Sequence, residues 1–286
     1  MTAEQLKRIA AAQGKQAWEA GIKHEAVQKA LEAAKGGAKG LFLAEGLWLN
    51  SQAVEYGAEI EALFVCPELV YQDQWVRSVE AMVARSAAIC LVSEKVLDRL
   101  SDEKGDRGVV SLLKLPQWRL SDIPQGEPST VLVLDGLENP GNLGTLIRTA
   151  EGAGAAAVII CNKRTGLNNR VAVRASLLTL LTLPVVEAEA AECMDYLAAG
   201  GYTVYLGKAE SSVRYCDVGY AQKAAVVLGH EKYGVSGAWF ERPHVAVSIP
   251  MLGRVDSLNV AVAGGILLYE VGRNRGFASH GFGFQQ

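Results

Sequence analysis

Asn139-Pro-Gly-Asn-Leu-Gly-Thr-Leu-Ile-Arg148 follows the apolar, β-prone run Thr130–Leu134 and leads into a helix predicted over Leu143–Gly152. A strand passing through a Gly/Pro turn into a helix is the repeating unit of covered parallel sheets. Asp135-Gly136 and Asn139-Pro-Gly141 force a tight turn, and Asn142 is placed to cap the helix behind it. Two further stretches repeat the arrangement. Val226–Leu228 runs into Gly229-His-Glu-Lys-Tyr-Gly234, and Val245–Ile249 runs into Pro250-Met-Leu-Gly-Arg-Val-Asp-Ser-Leu-Asn259. Open α/β sheets bind ligands outside the carboxyl ends of their strands, so three such junctions predict one assembled site.

Outward from these junctions, strands alternate with helices. Strands are expected at Ala156–Cys161, Leu183–Val186 and Thr203–Leu206, and helices at Val171–Leu180, Ala188–Ala199 and Ser257–Val271. The pattern predicts an α/β fold with a parallel sheet covered on both faces. Arg174-Ala-Ser176 is placed to reach a site. Before Pro116 lies a smaller α/β unit, with strands at Ile60–Val65, Ala88–Val92 and Val109–Leu115 and a helix capped by Ser93. Residues 3–35 read as helix, divided at Gly14 and Gly21. The expected organisation is a helical extension over 1–37, the small α/β domain over 38–120 and a turn-rich linker over 121–129. The main domain follows over 130–272. Residues 273–286, rich in Gly, Phe and Arg, are expected to be a mobile tail.

Composition narrows the function class. The 286 residues carry a net charge of -3, which argues against holding nucleic acid by bulk charge. Residues 1–40 hold seven Lys or Arg against four Glu, so they are net +3 and the remainder is net -6. A modestly basic N-terminus on an acidic body suits a phosphate-bearing partner. The five cysteines form no CxxC pair and the four histidines no HExxH spacing, so no metal site is expected. No apolar run is long enough to span a membrane and no signal-peptide pattern opens the chain, so the expected location is the cytoplasm.

The junctions themselves exclude the common phosphate loops. Gly141 and Gly144 have no third glycine in register for GxGxxG, and no Gly-Lys-Ser/Thr is present. Arg148 either faces a phosphate or pairs with Glu151 on the surface. Glu231 is a candidate base, hydrogen-bond acceptor or salt-bridge partner. His230 is read as a surface residue. Ser257 is expected as the N-cap of the last helix. Asn259, in its first turn, reaches a ligand or the neighbouring loop.

Taken together and in this order, the three segments resemble the TrmH/SpoU branch of the knotted (SPOUT) RNA methyltransferases. The resemblance rests on Asn142 through Arg148, on Leu228-Gly-His-Glu231 with Gly234, and on Ile249-Pro-Met-Leu-Gly253 with Ser257-Leu-Asn-Val260, over roughly 129–272. Residues 38–120 are similar to that family's substrate-binding domain, which is akin to ribosomal protein L30e. The resemblance implies a trefoil-knotted catalytic domain that dimerises with itself. The implied reaction is methyl transfer from S-adenosylmethionine to a ribose 2′-hydroxyl of structured RNA, with rRNA the expected substrate. Membrane and DNA are not expected partners, and no metal is needed. A tRNA-directed enzyme, or a non-catalytic RNA-binding or assembly protein with this fold, is the alternative. It further implies that Leu228, Gly229, Ile249, Met251 and Leu258 hold the cofactor. Asn142, Glu231, Ser257 and Asn259 shape the catalytic site, and Arg148 acts near the cofactor of the other subunit. Two positions depart from the family pattern: Asp256 stands where relatives usually have Glu, and Ala261 where many have Ser.

Overall fold

The computed structural model of the chain describes residues 1–102 and 107–277. Backbone contacts divide it into two compact units, Met1–Pro116 with Leu167–Thr182, and Gln117–Gly166 with the chain from Leu183 onward.

In the first unit the elements are α1 (Ala3–Ala12), β1 (Ala17–Glu19), α2 (Glu25–Ala34), β2 (Leu41–Glu45), α3 (Leu47–Glu55), β3 (Ile60–Val65), α4 (Asp73–Arg85), β4 (Ser86–Leu91), α5 (Glu94–Leu100) and β5 (Val109–Lys114). The sheet runs β1-β4-β3-β5-β2, with β5 antiparallel to both neighbours and the other pairs parallel. The helix expected over 3–35 is therefore interrupted. A Thr2/Gln5 capping box starts α1, Gly14 at φ +68 follows its end, and Ala17–Glu19 joins the sheet edge beside Ile89–Leu91. Ser93 stands at the N-cap of α5 without a side-chain cap bond.

The second unit comprises β6 (Ser129–Asp135), α6 (Pro140–Gly152), β7 (Ala157–Cys161), β8 (Val185–Glu187), α8 (Ala190–Ala199), β9 (Thr203–Gly207), β10 (Lys223–Gly229), β11 (Val245–Val247) and α9 (Val260–Asn274). Helix α7 (Arg170–Ser176), between β7 and β8 in the chain, belongs to the first unit. All six strands are parallel, in the order β11-β9-β10-β6-β7-β8. Every residue of β6 and β7 is buried, as the unbroken apolar runs require of a sheet covered on both faces. Val133, Ile159, Val227 and Trp239 belong to the core on one face. On the other, α6 and α9 pack so closely that a Cβ on Gly264 would stand 2.3 Å from Leu146 Cδ2 and 2.8 Å from Leu228 Cδ1. Gly264→Val should therefore destabilise the protein by about 1–3 kcal/mol through overpacking. A thermal melt checks this, and an unchanged midpoint would contradict the packing.

Helix α7 is shorter than the expected Val171–Leu180. Leu177 and Leu178 both enter the left-handed region, at φ +49 and +64, and end it. Its arginines turn inward to Glu45, a buried carboxylate at the end of β2. Glu45 accepts from Arg170 Nε at 2.7 Å, Ser101 Oγ at 2.8 Å and the Asp102 N–H at 2.9 Å, with Arg174 Nη2 at 3.4 Å. Burial alone raises the pKa of Glu45, but these donors and the Arg170 charge outweigh it and hold the carboxyl below its ordinary range. Arg174, expected to reach a ligand, contacts Glu45. At the other end of the chain α9 continues to Asn274, past the expected Val271. Of the expected mobile tail, residues 278–286 lie outside the described residues.

Candidate active site

In the second unit, β6, β9, β10 and β11 are parallel, so their carboxyl ends share one edge. Asp135 and Gly229 are the register partners that end β6 and β10. The chain then turns at each end, and side chains tie the turns together.

The first turn opens α6. Asn139, not the expected Asn142, is the N-cap: its Oδ1 accepts from Gly141 N at 2.8 Å and Asn142 N at 3.2 Å, and Pro140 occupies the first turn. Asn142 is thereby free of capping. Its Nδ2 donates to Glu231 Oε1 at 3.0 Å, and its Oδ1 accepts from Asn259 Nδ2 at 3.1 Å. Asn259 is in turn the N-cap of α9, accepting from Ala261 N at 2.9 Å, a role expected of Ser257. Ser257 stands two residues earlier, exposed, and lines the adjacent cavity. One hydrogen-bonded chain, Glu231–Asn142–Asn259, thus joins all three segments.

Glu231 is an anchor in this geometry. Besides Asn142 it accepts from Asn139 N at 3.1 Å and Glu138 N at 3.2 Å. Partial burial raises its pKa, yet these three donors outweigh that and hold it below the usual carboxylate range. A depressed pKa means the carboxylate's contribution is complete above about pH 4.3 and is lost only as pH falls through the lowered value. Glu231 should therefore produce no limb near neutrality in a pH–rate profile. Glu231→Gln turns one acceptor into a donor facing N–H groups and should weaken ligand binding roughly tenfold, the equivalent of one unsatisfied polar group. Calorimetric titration checks the second expectation; a base-type limb at pH 6–7 that vanishes in the variant would contradict the first.

The loop after β10 is held at two further points. His230 and Gly234 exchange backbone hydrogen bonds at 3.0 and 2.8 Å. Asp135, 2% exposed, accepts from Ser236 N at 2.8 Å and from Asn162 Nδ2 at 2.6 Å. His230 is not the surface residue expected: its side chain is 11% exposed, Nδ1 accepts from Lys232 N at 2.9 Å, and Nε2 faces Glu138 Oε2 at 3.2 Å. Gly229 lies so close beneath the loop that an added Cβ would be 2.0 Å from Gly234 C.

A cavity open to solvent lies against β9, β10, β11 and the start of α9. Leu228, Gly229, Ile249, Met251 and Leu258 all line it, as does Glu231. Its walls also include Lys208, Asp256, Ala263 and Leu267, which sequence reasoning did not assign. Lys208 follows directly on a strand end, a signal that was available; Leu267 is indistinguishable in sequence from an ordinary core residue. Arg148 stands apart, exposed on α6 and outside the cavity lining, and the Glu151 pairing left open by the sequence does not form. Among the described residues no group of three His, Cys, Asp or Glu is arranged to hold a metal.

Comparison with known proteins places this geometry. The model of the SpoU rRNA methylase family matches residues 129–269, and that of the MRM3-like substrate binding domain matches residues 29–111. A putative TrmH family tRNA/rRNA methyltransferase of Staphylococcus saprophyticus is 36% identical over 54% of this chain, and the match spans 62% of the length of that relative. The 23S rRNA (uridine(2479)-2′-O)-methyltransferase of Streptomyces viridochromogenes is 31% identical over 82% of this chain and 84% of its own. The crystal structure of an AdoMet-bound rRNA methyltransferase from Sinorhizobium meliloti superposes with a TM-score of 0.80 at 28% identity, over 90% of this chain and 97% of that one. With an all-parallel second sheet, a mixed first sheet and a 31%-identical relative matched over most of its length, the chain belongs to the SpoU rRNA methylase family.

Proposed function

We propose that this protein transfers a methyl group from S-adenosylmethionine to a ribose 2′-hydroxyl of structured RNA, with rRNA as the substrate. The observation that carries this reading is the joining of a largely apolar cavity to the Glu231–Asn142–Asn259 chain at one sheet edge. The cavity suits the cofactor chemically. Leu228, Ile249, Leu258 and Leu267 offer an apolar seat for adenine, and the strand ends offer backbone donors and acceptors for its polar edges. Bound there, the cofactor supplies an electrophilic methyl on a sulfonium, a good leaving group.

The protein's own part is placement. Asn142 and Asn259 fix the first turns of α6 and α9 against each other, and Glu231 holds the loop that walls the cavity. Ser257, beside Leu258, orients the incoming ribose. Arg148 binds the phosphate next to the target ribose and leaves that phosphate to assist loss of the hydroxyl proton. Arginine holds its own proton too tightly to act as a base. The requirement for a 2′-hydroxyl selects RNA over DNA. Residues 38–120 carry RNA recognition, a reading supported by the substrate-binding model matched over 29–111.

Arg148 lies outside the cavity of its own chain, which fits a role at the cavity of a second copy. Val262 and Tyr269 are about half exposed on α9, and Leu252 and Val255 stand out from the loop before it. Such an apolar surface suits a homodimer through this domain. Light scattering should then return twice the 30.5 kDa chain mass, and a monomer under assay conditions would remove the cross-subunit role. Four of the five thiols are buried and all are free, which fits a reducing cytoplasm. The activity is tested by mapping ribose methylation in RNA from cells with and without the gene. One lost 2′-O-methyl position is expected, and an unchanged map would overturn the reading.

A further inference from the structure

The cavity is lined by four side chains able to carry charge: Lys208, His230, Glu231 and Asp256. Three have engagements of their own. Both Glu231 oxygens accept from the 138–142 turn. His230 accepts from Lys232 N and faces Glu138. The Lys208 ammonium lies over the Phe240 ring, 5.6 Å from its centroid. Asp256 is different. It is exposed at the cavity, directly before Ser257 and Leu258, and among the described residues it forms no ion pair or hydrogen bond. It is the anionic group of this lining whose oxygens are uncommitted.

Methyl transfer changes the charge of the occupant. The hydroxyl oxygen forms the new C–O bond and its proton goes to solvent. The C–S bond pair returns to sulfur, so a cationic sulfonium becomes a neutral thioether. Substrate and product cofactors therefore differ by one positive charge at one atom and little else. We propose that Asp256 reads this charge, favouring S-adenosylmethionine and letting S-adenosylhomocysteine leave. The assignment rests on the cofactor reading given above. A carboxylate lining the same solvent-open cavity as the cation, at an effective dielectric between that of a protein surface and water, favours the charged form by about three- to tenfold. Salt weakens such a preference.

The test compares three ligands on the full chain by equilibrium titration: S-adenosylmethionine, an analogue with a protonated amine in place of the sulfonium, and S-adenosylhomocysteine. Asp256→Asn should weaken the two cationic ligands about three- to tenfold and leave the neutral product unchanged, with the difference shrinking at high salt. Asp256→Glu, which keeps the charge, should restore the preference. Equal weakening of all three ligands, or no change in any, would overturn the assignment. Failure of the unaltered protein to bind any of the three would instead overturn the cofactor reading, and this assignment with it.

Discussion

Alanine at position 148 should lower methyl transfer by about 10²–10³-fold or more, the loss typical of removing one preorganised electrostatic contact to a reacting group. Cofactor affinity should stay close to that of the unaltered protein. The two expectations separate because of where the residue stands. Arg148 lies on the exposed face of α6, outside the cavity lining and without an ion-pair partner among the described residues, so its removal disturbs neither cavity nor fold. Its helix is nonetheless fixed at its start by Asn139, Pro140 and the Asn142–Glu231 bond, so the guanidinium is presented from a rigid base. Lysine at this position keeps the charge but loses the planar fork that grips phosphate at two points, and should recover only part of the rate. Single-turnover transfer of labelled methyl, measured beside calorimetric titration of the cofactor, checks both halves. Loss of cofactor binding together with turnover would contradict a role confined to the acceptor.

Alanine at position 229 should do the opposite and remove cofactor binding first. Its Cβ would come within 2.0–2.1 Å of Gly234 C and O and of Val235 N, all backbone atoms of the returning loop. No side-chain rotation relieves a backbone clash, so the loop must move. Its movement opens the His230–Gly234 bridge and pulls on Ser236, which Asp135 holds, and on Glu231, which anchors the first turn of α6. All three segments are thereby loosened by one methyl group. Overpacking of this kind destabilises by about 1–3 kcal/mol, a fall in melting temperature of roughly 3–10 °C for a chain this size. A melting curve and a cofactor titration on the same preparation check the expectation. Near-normal values in both would mean that the close approach of Gly229 to the loop is not needed.

Much of this site is legible in the sequence, for a physical reason. A buried parallel strand needs an unbroken apolar run, so Ser129–Asp135 and Lys223–Gly229 stand out, and the polar and glycine-rich residues after them have no place in a core. What stayed hidden was local choice among equivalent groups. Asn and Ser cap helices about equally well, so the sequence could not separate Asn139 from Asn142, or Asn259 from Ser257, and helix boundaries drift by such steps. Moving each cap by two or three residues freed Asn142 for Glu231 and let Asn259 cap α9 and bond Asn142 at once. The anchoring role of Glu231 depends on partners about ninety residues away and leaves no trace in its own neighbourhood. Strand β1 is three residues long and exists through its pairing with β4, so its sequence reads as part of a helix. The early end of α7 likewise has no glycine to announce it, because two leucines adopt the left-handed turn.

Alkaline cleavage of labelled RNA decides whether these segments form one working methyl-transfer site. Purified protein is incubated with methyl-labelled S-adenosylmethionine and undermodified rRNA, and the RNA is then cleaved by alkali. Label retained in an alkali-resistant dinucleotide, absent with the Arg148→Ala protein, is the predicted result, since a methylated 2′-oxygen cannot attack its own phosphodiester. Label recovered only on a base, or no label with folded protein and bound cofactor, would contradict it.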